Sequence, residues 1–488
     1  MVIGNPPYVQ LQALGEMSDT LSKCGYETYN KSADLYCLFY ERGCQILKPK
    51  GYLSYISSNK WLRVNYGKSL RKFLSTKVNP KILIDFPGIP VFADAVVDPH
   101  ILILRNEPYI GKTESCVIKT YTSNLEIVFE STKTVNKFSD ASWVIIPIED
   151  ARKLELMKLK GTKLKDLPIA INYGLKTGFN DAFFIDEQTR QKLIAADSRS
   201  AELIKPMVRG RDISPYEKTG GEFLINVHNG IKDKNPPLHP TIIGDYPAIK
   251  QHLDAFYQKL EKRGDKGKTP YNLRNCSYLE EFAKPKILYP NMTSVFPFMY
   301  DESGLLSNDK SFILTANDNS VSLLFLTAVL NSSLAKLWIW YNCPELGNNR
   351  REIRKVYFEH FPVPQANNDQ TSILSKYAME RTQLTSNLQS LSLKFQCSLH
   401  RKFELENLPK KLQDWYLLSY TNFIKELRKK KIKLTLSQEA EWEGYFIQEA
   451  DKAQNIKSQI EKTDKEIDRM VYELYGLSEE EIKIVENS

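Results

Sequence analysis

"KILIDFPGIPVFADAVVDPHILILR" occupies residues 81–105 and holds two apolar runs, Lys81–Phe86 and His100–Arg105, joined by a proline-bearing loop. Neither run alternates polar with apolar residues, so neither suits a strand with one wet face. Such runs belong in a sheet covered on both faces. Upstream, "KSADLYCLFYERGCQILKPKG" at 31–51 reads as a helix. Ser32 is its expected N-cap, and Leu35, Leu38, Phe39, Ile46 and Leu47 fall near one face. Pro49 and Gly51 stop it. "YLSYI" at 52–56 is a strand, "GKSLRKFL" at 67–74 a second helix, and "MVIG" at 1–4 a short apolar strand end. Strands alternating with helices predict an α/β fold.

The pattern is that of half a sheet. An open α/β fold holds its cofactor at the carboxyl ends of its strands, usually through a glycine-rich turn after the first one. No GxG occurs in this sequence. A strand starting at Met1 leaves an unpaired position beside it, which proteins avoid. The expectation is a sequence that begins in mid-domain. Residues 1–108 form this sheet region, and 109–150 read as a connector with some strand content. Residues 151–365 are irregular mixed α/β. Residues 366–488 turn helical as prolines almost vanish, and Ile467, Val471 and Leu474 mark an amphipathic helix there.

Composition narrows the class. With 42% hydrophobic residues the 488-residue chain has ample material for packed cores. The net charge of +8, from 67 basic and 59 acidic residues, is compatible with a polyanion partner and equally with solvated basic faces. Seven cysteines lie scattered without a CxxC pair, and the six histidines are isolated, so no metal site is expected. There is no signal-peptide pattern and no run of about 18 apolar residues. A reduced cytoplasm is the expected location, with no membrane partner.

The chemistry is concentrated in "VIGNPPYVQ" at 2–10. The Asn5 side-chain oxygen and the Pro6 carbonyl are two acceptors close together, on a loop that Pro6 and Pro7 stiffen. Two acceptors suit a substrate NH₂ group. An amine on an aromatic ring is a poor nucleophile because its lone pair is delocalised. Holding both hydrogens draws the nitrogen towards tetrahedral geometry and frees that pair. Tyr8 supplies a face for a planar base, worth about 1–3 kcal/mol. A paired base must leave the duplex to be reached this way. A second copy, Asn235-Pro236-Pro237, follows a polar stretch, is succeeded by Leu238 instead of an aromatic, and reads as a plain loop.

"NPPY", the helix "ADLYCLFYERGCQILKPKG", the strand "YLSYISSNKWL" and "IDFPGIPVFADAVVDPHILILR" resemble the second half of a gamma-class adenine amino-methyltransferase. Downstream, "YGLKTGFNDAFFID", "IKPMVRGRDI", "FAKPKILYP", "AVLNSSLAKLW", "FPVPQ" and "IDRMVYELYGLSEEEI" are similar to the target-recognition region and closing helix of type IIG restriction–modification enzymes. The resemblance implies an incomplete Rossmann-like methyltransferase sheet, a target-recognition domain over 151–365 and a helical C-terminal region. It implies methyl transfer from S-adenosylmethionine to the exocyclic amine of adenine in double-stranded DNA, within a restriction–modification system.

By the same resemblance Asn5, Pro6, Pro7 and Tyr8 are catalytic, Phe92 flanks the flipped base, and Asp34 lies near the cofactor. Phe92 reads equally as an ordinary core residue. Asp34 reads better as a helix-terminus acid. The cofactor-binding half, with its glycine loop, is missing from the pattern, so an upstream methyltransferase half in trans is a further expected partner. Duplex contacts are expected from Lys176 and Thr177 in "LKTGFN", Arg209 and Arg211 in "MVRGRDI", and Arg350 and Arg351 in "RREIRK". Asp464 and Glu481-Ile482-Lys483 imitate part of a nuclease signature but read as a solvated helical face. One alternative is a non-catalytic DNA-recognition subunit. Another is a glutamine-modifying protein methyltransferase, which has no use for so large a downstream region.

Overall fold

The computed structural model describes residues 1–89, 91–92, 97–118, 120, 124–231, 236–264, 266–346, 350–405, 407–479 and 481–482. The chain divides into two compact units, Met1–Leu156 with Pro344–Arg350, and Met157–Cys343 with Arg351–Ser488.

The first unit is built on a six-stranded sheet. Its strands are β1 (Val2–Gly4), β2 (Tyr52–Ser58), β3 (Asn79–Asp85), β4 (Pro99–Arg105), β5 (Thr113–Val117) and β6 (Thr134–Asn136), in spatial order β1-β2-β4-β3-β5-β6. β1 runs parallel to β2, and β3 parallel to β5, while β4 is antiparallel to both β2 and β3. The apolar runs of the opening stretch are therefore two central strands, β3 and β4, paired with each other. Leu83, Leu102 and Leu104 turn to one face and are fully buried. Ile84 turns to the other with Phe86, Cys116 and Phe129, and Ile82 and Ile101 are only half-buried there. Coverage is thus complete on one face and partial on the other. The segment expected as a connector, 109–150, supplies β5 and β6 to this same sheet.

Helix α1 (Tyr36–Gln45) starts later than Ser32, and its N-cap, Leu35, makes no side-chain cap bond. The cause is a short ladder: Leu11 N–H donates to the Ala33 carbonyl (2.8 Å) and Leu35 N–H to Val9 (2.7 Å), which ties 33–35 to the 9–11 segment ahead of the helix. The buried face is then Tyr36, Tyr40 and Cys44, four residues apart. Phe39 and Ile46, expected inside, are 41% and 58% exposed. Tyr40 packs on Trp61 and His100 instead. Helix α2 (Lys68–Lys77) covers the same core through Leu70, Phe73 and Leu74.

The second unit holds two four-stranded sheets. One runs, in spatial order, Met299–Asp301, Lys286–Pro290, Ser311–Ala316 and Ile169–Tyr173; the other runs Leu306–Ser307, Ile204–Val208, Glu222–Ile225 and Phe184–Ile185. The apolar helix α3 (Leu323–Asn331) is almost wholly buried, α4 (Ser333–Asn342) buries Leu334, Ala335, Trp338 and Ile339, and among the described residues no single helix is long and apolar enough to cross a membrane.

Two long helices follow, α5 (Asn368–Phe403) and α6 (Leu436–Tyr475), each opened by a capping box, Asn367 with Gln370 and Thr435 with Gln438. An aromatic cluster joins them, Phe395 of α5 and Trp442 and Phe446 of α6 packing with Trp415 and Phe423 from the segment between. Asp464, expected on a solvated helical face, has a side chain 45% exposed. It pairs with Arg381 of α5 at 2.7 Å, and Asp468 accepts the N–H and hydroxyl of Ser333 at the start of α4 (2.7 and 2.6 Å). Lys483 lies outside the described residues.

Candidate functional site

In the first unit β1, β2, β3 and β5 point the same way, so their carboxyl ends share one edge of the sheet. Ligands of open α/β sheets bind at such an edge. Asn5-Pro6-Pro7-Tyr8 leaves β1 there. The Tyr8 hydroxyl donates to Asn5 Oδ1 at 2.8 Å, so the acceptor expected for a substrate amine is held by the loop's own phenol. Burial raises that phenol above its ordinary value, which keeps it a neutral donor.

The Tyr8 ring meets Phe92 at 6.2 Å between centroids, tilted by 56°, and Tyr36 edge-on at 6.1 Å. Two rings sandwiching a base stand about 7 Å apart, twice a carbon contact distance. Tyr8 and Phe92 are therefore slightly too close and too tilted to hold a base as they stand. Phe92 is half-buried, with its ring beside that of Tyr8.

Asp34 does not cap α1. Its Oδ2 accepts the Tyr66 hydroxyl at 3.1 Å, and the Tyr66 and Tyr36 hydroxyls lie 3.1 Å apart. Burial raises both phenols. The chain Asp34–Tyr66–Tyr36 thus ends against the Tyr8 ring and fixes its back. Neither Tyr36 nor Tyr66 carries a local sequence signal for this role beyond being aromatic. At the same sheet edge Asn59, just after β2, donates to Asp85 at the end of β3 (2.8 Å). Burial raises the Asp85 carboxyl, against the Asn59 bond and the nearby Arg63.

In the second unit the expected duplex contacts separate into two kinds. Lys176 and Arg211 are exposed, with Lys176 Nζ 5.7 Å from the centre of the Tyr173 ring and Arg211 3.6 Å from its neighbour Asp212. Arg209 is half-buried, pairs with Glu222 and lies over the Phe184 ring at 5.0 Å. Thr177 is buried, and its hydroxyl donates to Asn180 Oδ1 at 2.6 Å, closing the loop on itself.

Arg350, in the first unit, is exposed. Arg351 is 2% exposed, lies over the Trp340 ring at 4.0 Å and donates to the Trp340 carbonyl at 2.8 Å. The expectation of a duplex contact from Arg351 is corrected: its guanidinium is a core group with no route to a phosphate. Of the second Asn-Pro-Pro copy, Asn235 lies outside the described residues, and Leu238 pairs with Ile231 in an isolated antiparallel bridge.

Residues 1–92 match the Eco57I restriction-modification methylase family, 205–363 the TaqI-like C-terminal specificity domain, and 367–471 a domain of unknown function (DUF8810). Over these stretches the chain is similar to restriction–modification methyltransferases. It is 22% identical to the type II methyltransferase M.BstVI of Geobacillus stearothermophilus over 388 residues, 74% of this chain and 67% of that protein. It is 32% identical to the type II restriction enzyme and methyltransferase RM.Eco57I of Escherichia coli over 165 residues, 32% of this chain and 16% of that one. The solved structure of the type IIL restriction–modification enzyme MmeI in complex with DNA aligns with a TM-score of 0.48 at 14% identity, covering 99% of this chain and 55% of that one. The chain therefore spans about two thirds of M.BstVI and about half of the MmeI chain.

The methylase match contains Asn5 to Tyr8, Asp34 and Phe92, and the specificity-domain match contains Arg209, Arg211, Arg350 and Arg351; Lys176 and Thr177 precede the latter. The described residues do not by themselves make a fitted site for S-adenosylmethionine. A Cβ at Gly4, the glycine of β1, would stand 3.3 Å from the Tyr55 ring, so no open cradle lies there, and the Asp34 carboxylate is engaged by Tyr66. No group of three or more metal-ligating side chains occurs among the described residues.

Proposed function

We propose that this chain takes part in site-specific methylation of double-stranded DNA, with S-adenosylmethionine as donor and the exocyclic amine of a flipped adenine as acceptor. The observation that carries the reading is the convergence of Asn5, Tyr8 and Phe92 at the carboxyl edge of the sheet. Asn5 Oδ1 and the Pro6 carbonyl accept the two amine hydrogens, and Tyr8 and Phe92 flank the ring. The amine must displace the Tyr8 hydroxyl from Asn5 to bind. Residues 1–108 act in this reading as part of the catalytic domain, 151–365 as the target-recognition domain and 366–488 as its helical support, in a cytoplasmic protein.

The cofactor is held in this reading by a further methyltransferase half, in the same or a separate chain, since the residues at hand offer no cradle for it. A non-catalytic DNA-recognition subunit is the rival. The test is methyl incorporation into duplex DNA by the enzyme containing the cofactor-binding half. Asn5→Ala should abolish incorporation and leave DNA affinity unchanged, because the lost acceptor acts only at the reacting nitrogen. Full turnover by Asn5→Ala refutes the assigned chemistry. DNA binding with no incorporation by the unaltered protein favours the rival.

A further inference from the structure

The two exposed duplex-contact loops of the second unit, around Lys176 and Arg211, are joined by a turn that neither loop's sequence announces. Leu175 N–H donates to the Ser307 carbonyl (2.7 Å) and Gly174 N–H to Ser311 (2.9 Å). On the other side Asn308 Oδ1 accepts the Gly210 N–H at 3.1 Å, and Asn308 N–H donates to Val208 (3.3 Å). The approach is close enough to require glycine at both places. A Cβ at Gly174 would lie 1.9 Å from the Asn308 oxygen, and one at Gly210 would lie 2.2 Å from the Lys310 oxygen. Asn308 is 5% exposed, so its bond to Gly210 is sheltered from water.

This turn also carries a cation to the first loop. A cleft of about 470 Å³ is walled by Lys176, Gly178 and Asp181 from the loop after Ile169–Tyr173, by Arg274, and by Asp309 and Lys310 from the turn. Three cations from three chain segments face two carboxylates, one of which, Asp309, is paired to Lys310 at 3.3 Å. The balance is one positive charge, in a cleft whose Gly178 has φ +72° and lets a backbone come near. The charge and the long, exposed cationic side chains suit a singly charged phosphodiester and carry no base-reading pattern.

We infer that this cleft is a backbone-phosphate clamp, that Lys310 and Arg274 are duplex contacts alongside Lys176, and that Asn308 is the positioning residue that holds the Arg211 loop in register with it. The inference rests on the DNA reading above. The test is binding of the full chain to short duplexes of mixed sequence at several salt concentrations. Lys310→Ala and Arg274→Ala should each lower the slope of log affinity against log salt by about 0.9, alike on every duplex. Lys425→Ala, an exposed cation of helix Tyr420–Lys429, should leave it unchanged.

For Asn308 the readout is a cycle with Arg211. In the Asn308→Leu background the further loss from Arg211→Ala should shrink below about twofold, and Asn308→Asp, which keeps an acceptor, should restore it. A parent that binds no duplex overturns the DNA reading as well as the clamp. A parent with a steep slope that Lys310→Ala and Arg274→Ala leave intact overturns the clamp alone. Simple additivity of Asn308→Leu and Arg211→Ala overturns the positioning role, and unfolding temperatures of each variant show whether Asn308→Leu still folds. If it does not, the slopes of the two surface variants decide the clamp, and Asn308→Ala takes the place of Asn308→Leu in the cycle, where simple additivity with Arg211→Ala again overturns positioning.

Discussion

Tyr8→Phe and Tyr8→Ala should move methyl transfer in opposite directions. The phenol does two separable things: its ring faces Phe92, and its hydroxyl occupies Asn5 Oδ1 at 2.8 Å. Removing only the hydroxyl keeps the stacking face and frees the acceptor. The bond is exposed, and its net worth over the bond water would make is about 0.5–1.5 kcal/mol, with the lower end fitting an exposed pair. A substrate amine no longer has to displace it, so kcat/KM for duplex DNA should rise by about two- to twelvefold in Tyr8→Phe. Tyr8→Ala also frees the acceptor but loses the stacking face, worth about 1–3 kcal/mol, a fall of about five- to 160-fold before that small gain. Burial raises the Tyr8 phenol above its ordinary value, so the hydroxyl stays a neutral donor across the assay range and the comparison is free of its titration. The assay is kcat/KM in the enzyme containing the cofactor-binding half, paired with the fluorescence of 2-aminopurine placed at the target adenine, which reports flipping. A fall in Tyr8→Phe equal to that in Tyr8→Ala refutes the reasoning, because the hydroxyl would then be part of the catalytic machinery.

Arg211→Ala should weaken DNA binding without changing the unfolding temperature. Arg209→Ala should lower stability, since it strips Glu222 of its partner and Phe184 of its covering cation; equal effects of the two on both measurements would contradict this division. Lys286 is fully buried and bonds Asp301 at 2.5 Å, so Lys286→Met should destabilise by about 3–5 kcal/mol through the stranded carboxylate, read by urea unfolding. Burial alone would raise Asp301, but its bonds from Lys286 and Ser303 hold it below its ordinary value. The pair's contribution is then present above the ordinary carboxylate range and lost as pH falls through the depressed value. His100 is pushed by burial down to about 3, so between its unfolded value of 6.5 and about 3 the unfolded chain binds the extra proton. Stability should fall with falling pH there, by up to about 1.4 kcal/mol per unit. His100→Leu should flatten that slope in urea midpoints taken across the range, and an unchanged slope would dismiss His100 as its source.

Local patterns carry the parts of this protein that depend on neighbours in sequence. The apolar runs at 81–86 and 100–105 became the central strands β3 and β4, because unbroken apolar character leaves a strand no wet side. Asn5 to Tyr8 is legible as a stiff pair of acceptors beside a ring, because two prolines leave the backbone little choice. The long helices after residue 366 follow from capping residues and the loss of proline.

What depends on partners far along the chain was settled by packing. That β4 inserts between β2 and β3 is a choice of pairing, and so is the ladder of 9–11 with 33–35 that moved the start of α1. Arginine next to arginine at 350 and 351 reads as one basic patch, yet Trp340 takes the second of them inside, since a planar cation stacks on an indole as readily as it meets a phosphate. Asn308 reads as an ordinary turn residue. Only the meeting of two glycines from distant loops, at Gly174 and Gly210, makes it the knot between them, and such a contact leaves no trace in the residues beside any of the three.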